Sequence, residues 1–236
     1  MLDKSLPYEG FIMKLRREKL AHIIVPELPD GYRYRLYEDG DENHWARLES
    51  TVLEFPSQEK ALEYFNHDYR DPFPEELRRR CAFVTTADGL PVATATAWFM
   101  ESSLGHKGWL QWISTDPAHQ GKGLGRAVIA KALSLFRTEG PATDIYLHTQ
   151  TWSHTAAYLY HRLGFEFFLI DHVKTAWHLP PGYRVMTNAP HAALEVLKAV
   201  YSPELIEELR NQAEPPTDDE LTEHEIRPAF PPEYQP

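Results

Sequence analysis

The sequence has one cysteine, Cys81, among its 236 residues. A single thiol excludes an intrachain disulfide framework, and a reducing cytoplasm is the simplest expectation for its location. The sequence also lacks an apolar run near the roughly 20 residues of a membrane span. Its first residues, MLDKSLPYEGF, contain no apolar signal-peptide core. We therefore expect no membrane partner. Because Cys81 precedes Ala-Phe-Val in an apolar stretch, we expect its thiol to be buried and inert.

Basic residues are scarce relative to acidic ones. The chain has 24 lysines and arginines against 35 aspartates and glutamates, a formal net charge of −11. Binding to a nucleic-acid backbone requires the opposite balance, so we expect no nucleic-acid partner, whereas a cationic amine would be weakly attracted. There are 12 histidines, but no HExxH motif and no cysteine partner for them. We therefore expect no metal site.

The most regular pattern lies in residues 109–136, WLQWISTDPAHQGKGLGRAVIAKALSLF. Alternating side chains from Trp109 to Thr115 predict a strand, which Asp116-Pro117 ends. Apolar residues then recur at helical spacing, which predicts an amphipathic helix. Its apolar face consists of Leu124, Val128, Ala132 and Phe136.

Three glycines stand between the predicted strand and helix, in Gln120-Gly-Lys-Gly-Leu-Gly125. Glycine is unfavourable within helices, but without Cβ atoms it exposes the first-turn N–H groups, which can bind a phosphate. The nucleotide P-loop requires Ser or Thr after Lys122, and the dinucleotide pattern G-x-G-x-x-G has a different glycine spacing. A glycine-rich turn without a ligand is the alternative.

The same six residues fit the pattern Q/R-x-x-G-x-G/A and resemble the pyrophosphate-binding signature of the GNAT superfamily of acyl-CoA N-acyltransferases. A second stretch, Ala156 to Phe165, resembles the signature A-x-x-L-Y-x-x-x-G-F of that family. The resemblance implies acetyl-CoA, and its product coenzyme A, as co-substrate. The implied binding residues are Ile113, Ser114 and Thr115 along the strand, Gln120, Gly121, Lys122, Gly123, Leu124, Gly125 and Arg126 in the turn, and Ser153.

Three of these residues have a second interpretation. Lys122 and Arg126 are either paired with phosphates or solvated. Ser153 stands where the family often has asparagine, and it either bonds the co-substrate or caps a helix.

The resemblance also implies catalytic residues. Tyr160 would act as general acid toward the leaving thiolate, with simple packing in a helix as the alternative. Some family members use a glutamate near the start of the fourth strand as base, but this chain has Trp109 there. The remaining candidates are His148, at the end of the fifth predicted strand, and Glu54, late in the first predicted helix. Proton loss through water and a merely hydrogen-bonded His148 stay open.

The element order β-α-α-β-β-β-α-β-α-β-β, over about residues 31–178, resembles that of the GNAT fold. The implied class is α+β (mixed α/β): a central mixed, mostly antiparallel twisted sheet of about seven strands. Helices flank this sheet, and its fourth and fifth strands splay apart. The predicted segments are an N-terminal arm (1–30) with some helical period in 11–24, the GNAT domain (31–180), a C-terminal helical extension (181–212) and an acidic Pro-rich tail (213–236). The extension would either cover the sheet or form a homodimer contact.

These observations predict an N-acetyltransferase. It would transfer an acetyl group from acetyl-CoA directly to an amine of a small molecule or peptide, through a ternary complex and without an acyl-enzyme. The alternative is a GNAT-like module that binds acyl-CoA as a sensor and is catalytically weak or inactive. The pattern does not specify the acceptor amine.

Overall fold

The computed structural model describes residues 2–138, 142–177, 182–222, 224 and 226. Its strands are β1 (Gly10–Leu15), β2 (Tyr32–Leu36), β3 (Cys81–Thr86), β4 (Pro91–Ser102), β5 (Gly105–Thr115), β6 (Ile145–Gln150), β7 (Glu166–Phe167), β8 (His172–Trp177) and β9 (Gly182–Thr187). Its helices are α1 (Arg17–Leu20), α2 (Glu42–Thr51), α3 (Gln58–Phe65), α4 (Pro74–Arg80), α5 (Leu124–Leu135), α6 (His154–Arg162), α7 (Pro190–Leu197), α8 (Pro203–Gln212) and α9 (Asp218–Leu221). The predicted boundary at 180–181 and residues 223, 225 and 227–236 of the predicted tail lie outside the described residues.

The described residues form two compact units. The first contains residues 20–98, 110–138 and 142, and the second contains residues 2–19, 99–109, 143–177, 182–222, 224 and 226. The strands β4 and β5 each contribute residues to both units. The four-segment division expected from the sequence stays a prediction.

In the first unit, β2, β3 and β4 form antiparallel pairs. The strand β3 lies in the interior, where every residue from Cys81 to Thr85 is buried. The helix α5 packs against β3 with Leu124, Val128 and Leu133 buried. The amphipathic helix predicted from the apolar repeat is therefore confirmed.

In the second unit, β1 runs antiparallel to β6 over its whole length and also pairs with β7. All six residues of β1 are buried. The helical period expected for residues 11–24 is therefore wrong for Gly10–Leu15, and only Arg17–Leu20 is helical within that range. The physical reason is that a strand buried on both faces carries a continuous apolar run, whose pattern resembles that of a buried helix.

The hydrogen-bonded order of the strands is β2-β3-β4-β5-β6-β1-β7, with the antiparallel pair β8-β9 joined to β4. The ladder of β5 with β6 is parallel and consists of Gly108 with Ile145 and Trp109 with Tyr146. A two-pair ladder on a strand of 11 residues is expected where two strands diverge. The mixed, mostly antiparallel sheet of seven main strands confirms the predicted class.

The C-terminal region contains the two predicted helices, α7 and α8, each with a proline in its first turn. It also contains β9, a strand that the sequence pattern did not indicate. No helix in the described part of the chain is long and apolar enough to cross a membrane. A homodimer contact through this region stays a prediction.

The segment after α8 is held to the second unit by ion pairs. The ammonium of Lys14 is 1% exposed and lies 2.6 Å from Glu220 Oε1 and 3.2 Å from Asp144 Oδ2. The phenol of Tyr146 donates to the same Glu220 oxygen. The backbone of Glu214 forms a bridge with Phe168. The first residues of the predicted tail are therefore an ordered part of this unit.

The helix α2 ends in a backbone conformation that is unfavourable for its residue. Leu53 has φ of 72°, and the N–H groups of Leu53 and Glu54 donate to the carbonyls of Ser50 and Glu49. This pattern is a Schellman motif, in which glycine is usual at the left-handed position. A left-handed conformation costs a non-glycine residue about 1–2 kcal/mol.

We expect Leu53→Gly to stabilise the fold by about 0.5–1 kcal/mol, because relief of the backbone strain exceeds the added entropy of glycine in the unfolded chain. Chemical denaturation would measure the change. Leu90→Gly is the control, because Leu90 is similarly exposed, 38% against 47%, but lacks a positive φ. It should be destabilising. Equal destabilisation by both substitutions would contradict the strain at Leu53.

Candidate active site

The glycine-rich turn connects β5 to α5 in the first unit. Asp116 caps the 3₁₀ turn Pro117–His119 by accepting a hydrogen bond from the N–H of Ala118, at 3.0 Å. Gly121 and Gly123 then adopt φ of 76° and 79°, values that side-chain-bearing residues rarely adopt. A Cβ atom added to either glycine would have no protein atom within 4 Å. The turn therefore borders open space.

The N-terminus of α5 has the features of an anion site. Gly123 is its N-cap residue and provides no side-chain cap. The N–H groups of Leu124, Gly125 and Arg126 are first-turn donors that an α-helix cannot satisfy internally. Together with the positive end of the helix dipole, they suit an anionic group such as a diphosphate.

The side chains around the turn have distinct partners. The ammonium of Lys122 lies 3.0 Å from the phenol oxygen of Tyr32, which lies 2.9 Å from Nδ1 of His119. The amide of Gln120 donates to the carbonyl of Thr115 at 3.1 Å. The side chain of Lys122 therefore points toward Tyr32, and the side chain of Gln120 connects the turn to the end of β5 by a hydrogen bond. The cluster of Tyr32 and His119 was not anticipated, because strand β2 is distant in sequence.

The last residues of β5 depart from regular strand geometry. Trp112 has φ of 50°, a conformation that costs a bulky residue of order 1–3 kcal/mol. Its indole N–H donates to the phenol of Tyr69 at 2.8 Å, and that phenol donates to Oε1 of Gln111 at 2.6 Å. These bonds hold Trp112 in place. Ser114 is buried beyond it, whereas its neighbours Ile113 and Thr115 are half-buried.

A buried acid, which neither sequence motif contains, lies near Ser114. Glu49 on α2 is 1% exposed, and neither of its carboxylate oxygens has a close hydrogen-bond partner among the described residues. Burial and the neighbouring Glu54 raise its pKa to about 8, against a smaller lowering by the hydroxyl of Ser114. The available signal was the position of Glu49 four residues after Trp45, on the buried face of α2.

The other acid candidate, Glu54, is not in a helix. The sequence pattern places it late in the first predicted helix, but α2 ends at Thr51. Glu54 is exposed and follows the left-handed Leu53. The expectation of a helical Glu54 is therefore wrong, because the Schellman motif ends the helix first.

Tyr160 lies in the second unit, on α6. It is 4% exposed, and its ring is 6.2 Å from that of Phe165. The next residue, His161, bridges Glu166 and Glu208 with distances of 3.2 Å to each, and the hydrogen bond to Glu166 is the main reason why its pKa is raised. Tyr158 is 44% exposed and contacts Tyr201. The two tyrosines thus face different surroundings.

His148 lies on β6 in the same unit, with an exposed side chain. Its Nε2 is 3.2 Å from the carbonyl oxygen of Thr187. Because a carbonyl only accepts, Nε2 carries the hydrogen and Nδ1 is the basic nitrogen. Partial desolvation lowers the pKa of His148, so the neutral ring prevails at pH 7.

Ser153 precedes α6 but does not cap it. Its side chain makes no capping hydrogen bond, and its hydroxyl accepts a hydrogen bond from the amide of Gln150 at 3.3 Å. The capping interpretation of Ser153 is therefore wrong. A role toward the co-substrate stays a prediction.

Metal ligands are not gathered in the described ranges. No group of three or more His, Cys, Asp or Glu side chains there is arranged to hold an ion. The imidazoles of His154 and His161 have carboxylates as their neighbours.

Comparison with known proteins agrees with the family that the two sequence motifs resemble. The family model "Acetyltransferase (GNAT) family" matches residues 36–165. Mycothiol acetyltransferase from Thermobispora bispora is 28% identical over 68% of this chain and 55% of its own length. The enzyme of that name from Salinispora tropica is 26% identical over 65% of this chain and 51% of its own length. The chain thus spans about half the length of the curated relatives it matches.

A solved structure has a similar fold. The GCN5-related N-acetyltransferase from Sphaerobacter thermophilus superposes with a TM-score of 0.52 at 21% identity. The superposition covers 69% of this chain and 49% of that one. At this identity the similarity concerns the fold.

Proposed function

Because the chain belongs to the acetyltransferase (GNAT) family, we propose that it transfers the acetyl group of acetyl-CoA to an amine by direct attack in a ternary complex. The observation that carries the proposal is the uncapped N-terminus of α5, next to two left-handed glycines that border open space. Such a turn leaves room for a diphosphate and supplies its hydrogen-bond donors.

The proposed acetyl-CoA site uses backbone groups more than side chains. The half-buried Ile113 and Thr115 offer the pantetheine amides a strand-like edge, beside Ser114. The turn from Gln120 to Arg126 binds the diphosphate, and the ammonium of Lys122 is available to a phosphate. Ser153 offers one further hydroxyl. When bound, acetyl-CoA supplies an activated acyl carbon.

The proposed catalytic groups hold and move protons. The phenol of Tyr160 donates its proton to the departing sulfur. His148, neutral at pH 7 with a basic Nδ1, is one acceptor for an amine proton. Burial raises the pKa of Cys81 to about 12, so its thiol is not a nucleophile. This supports direct transfer without an acyl-enzyme.

The alternative is a GNAT-like module that binds acyl-CoA with weak or absent catalysis. It is supported by Trp109, which is 1% exposed and stands where some family members have a glutamate base. The relatives' name supports acetyl transfer. Their acceptor is not assigned to this chain, because the chain spans only half of their length.

Two measurements test the proposal. Calorimetry with coenzyme A should show saturable binding, and free thiol should be released from acetyl-CoA when tyramine, spermidine, glucosamine or a lysine peptide is added. Binding without turnover on any amine would favour the sensor. Absence of binding would overturn both functions.

A further inference from the structure

We propose that Glu49 is the base that takes the proton from the acceptor amine. This inference rests on the function proposed above, and it names a residue that neither motif contains. It also implies an acceptor that binds as a cation, since the ionised form of Glu49 attracts an ammonium group.

The carboxyl group of Glu49 is buried and poorly hydrogen-bonded. Buried carboxylates are normally hydrogen-bonded, because an ion left without a partner in the interior costs several kcal/mol. Glu49 is enclosed, yet neither oxygen has a close hydrogen-bond partner within the described residues, and the hydroxyl of Ser114 interacts with the carboxyl group only weakly. The indole N–H of Trp45, one turn earlier on α2, is also buried without a partner there. A poorly bonded carboxyl group and an indole N–H without a partner, on the same buried face of α2, indicate a ligand that supplies the missing bonds.

Glu49 also lies beside Ser114. Ser114 lies between Ile113 and Thr115, the residues proposed to bind the pantetheine arm. The Ser114 hydroxyl is close enough to Glu49 to influence its ionisation. Glu49 is thus next to the strand segment along which the thioester end of the co-substrate would lie.

Aromatic rings surround this part of α2. The Trp45 ring lies 5.5 Å from Trp112 and 5.9 Å from Phe55, and Tyr64 lies 5.1 Å from Trp112. Aromatic faces attract cations and exclude water, so an ammonium group near Glu49 would be favoured. The strained Trp112 belongs to this aromatic group.

The groups that face Glu49 fix the direction of its titration. They are Glu54, beyond the end of α2, the hydroxyl of Ser114 on β5, and the neutral thiol of Cys81 on β3. Burial and Glu54 both favour the protonated form, so the carboxyl is largely neutral at pH 7. It becomes an effective base at slightly alkaline pH, where more of an amine is also unprotonated.

The proposed step balances in atoms and protons. Glu49 takes one proton from the ammonium nitrogen, and the freed electron pair forms the bond to the acetyl carbon. The carbon–sulfur bond breaks, and Tyr160 gives its proton to the departing thiolate. The second nitrogen proton leaves as the amide forms and restores the phenol, while Glu49 releases its proton to solvent. The products are the N-acetyl amide and coenzyme A.

The test uses the amine that gives the highest rate in the panel above. For the unchanged protein, kcat/KM should rise with pH and level off above about pH 8. Glu49→Gln should lower kcat about 10²-fold and abolish this rise, with the affinity for acetyl-CoA unchanged. Glu59→Gln, the same change at an exposed position of α3, should retain full activity. Turnover by Glu49→Gln with the original pH profile would overturn the proposal.

A second readout separates catalysis from a structural role. The pKa of Glu49 is higher in the folded chain than its ordinary value of 4.5. The folded state is therefore stabilised at low pH and loses stability as pH rises from 4.5 through about 8. Glu49→Gln cannot ionise, so it should melt no lower than the unchanged protein at pH 8. A lower melting temperature at pH 8 would indicate a structural residue instead.

Glu54→Gln decides between the two acids. Removing the negative charge of Glu54 should lower the pKa of Glu49 and move the rise in kcat/KM to lower pH, with the plateau rate retained. Loss of turnover in Glu54→Gln but not in Glu49→Gln would assign the base to Glu54 and overturn the inference.

If the unchanged protein turns over no amine, the proposed function itself fails. If that protein is active but Glu49→Gln is equally active, only the inference fails.

Discussion

Tyr160→Phe is expected to lower kcat by about 10²–10⁴-fold and to leave the affinity for acetyl-CoA nearly unchanged. The phenylalanine ring retains the packing of a side chain that is 4% exposed, including its contact with Phe165. The substitution removes only the O–H group. A thiolate that departs without a proton donor is less stabilised in the transition state, so the loss should appear in kcat.

Thiol-release assays would measure kcat, and calorimetry with coenzyme A would measure the affinity for the co-substrate. Tyr158→Phe is the matched control, because Tyr158 is on the same helix but 44% exposed and in contact with Tyr201. It should change kcat by less than about twofold. If Tyr160→Phe retained full kcat, the phenol would have a packing role only, and the proton would reach the sulfur by another route.

The sequence predicted well those features that depend on local pattern. The glycine-rich turn and the helix after it depend on residues adjacent in the chain, namely Gly121, Gly123 and the apolar face that begins at Leu124. Such features can be predicted from neighbouring residues, because backbone freedom and helical periodicity are local properties. The motif around Tyr160 was found for the same reason, since α6 is one short helix.

The features that were missed depend on partners far apart in the chain. β1 looked helical, because its sheet neighbours β6 and β7 are at least 130 residues away in the chain and both of its faces are buried. Glu49 looked like an ordinary helix-surface acid, and its burial follows from packing near Ser114. The left-handed Trp112 had no sequence signal, since its conformation is held by Tyr69. Hydrophobic pattern alone cannot place such contacts.

The ordered part of the predicted tail is a further example. Its acidic composition suggested a segment without a core, yet Glu214 and Glu220 provide the counter-charges for Lys14. Burial alone would raise the pKa of Glu220, but hydrogen bonds from Lys14, Thr217 and Tyr146 together lower it. The carboxylate form is therefore present at neutral pH and stabilises the fold there. This contribution is lost as pH falls through the lowered pKa.

Lys14→Met is consequently expected to destabilise the fold by about 3–5 kcal/mol, because it leaves a buried carboxylate without its counter-charge. Denaturant unfolding at pH 7 would measure the loss. The control is Lys60→Met, which breaks a pair with Glu63 of the same 2.6 Å length whose side chains are 61% and 66% exposed. That loss should be at most about 0.5 kcal/mol.

A double-mutant cycle with Glu220→Gln shows whether the pair itself is responsible. Once Glu220 is neutral, removal of the ammonium of Lys14 leaves a much smaller uncompensated charge. The double variant should therefore be more stable than the sum of the single losses predicts, by at least about 2 kcal/mol. Strict additivity would mean that Lys14 stabilises β1 through its apolar stem and its packing on Phe168, which lies 5.2 Å from the ammonium. In that case the acidic segment would be bound mainly by the backbone bridge of Glu214, and truncation after Ala213 should destabilise the protein far less than Lys14→Met does.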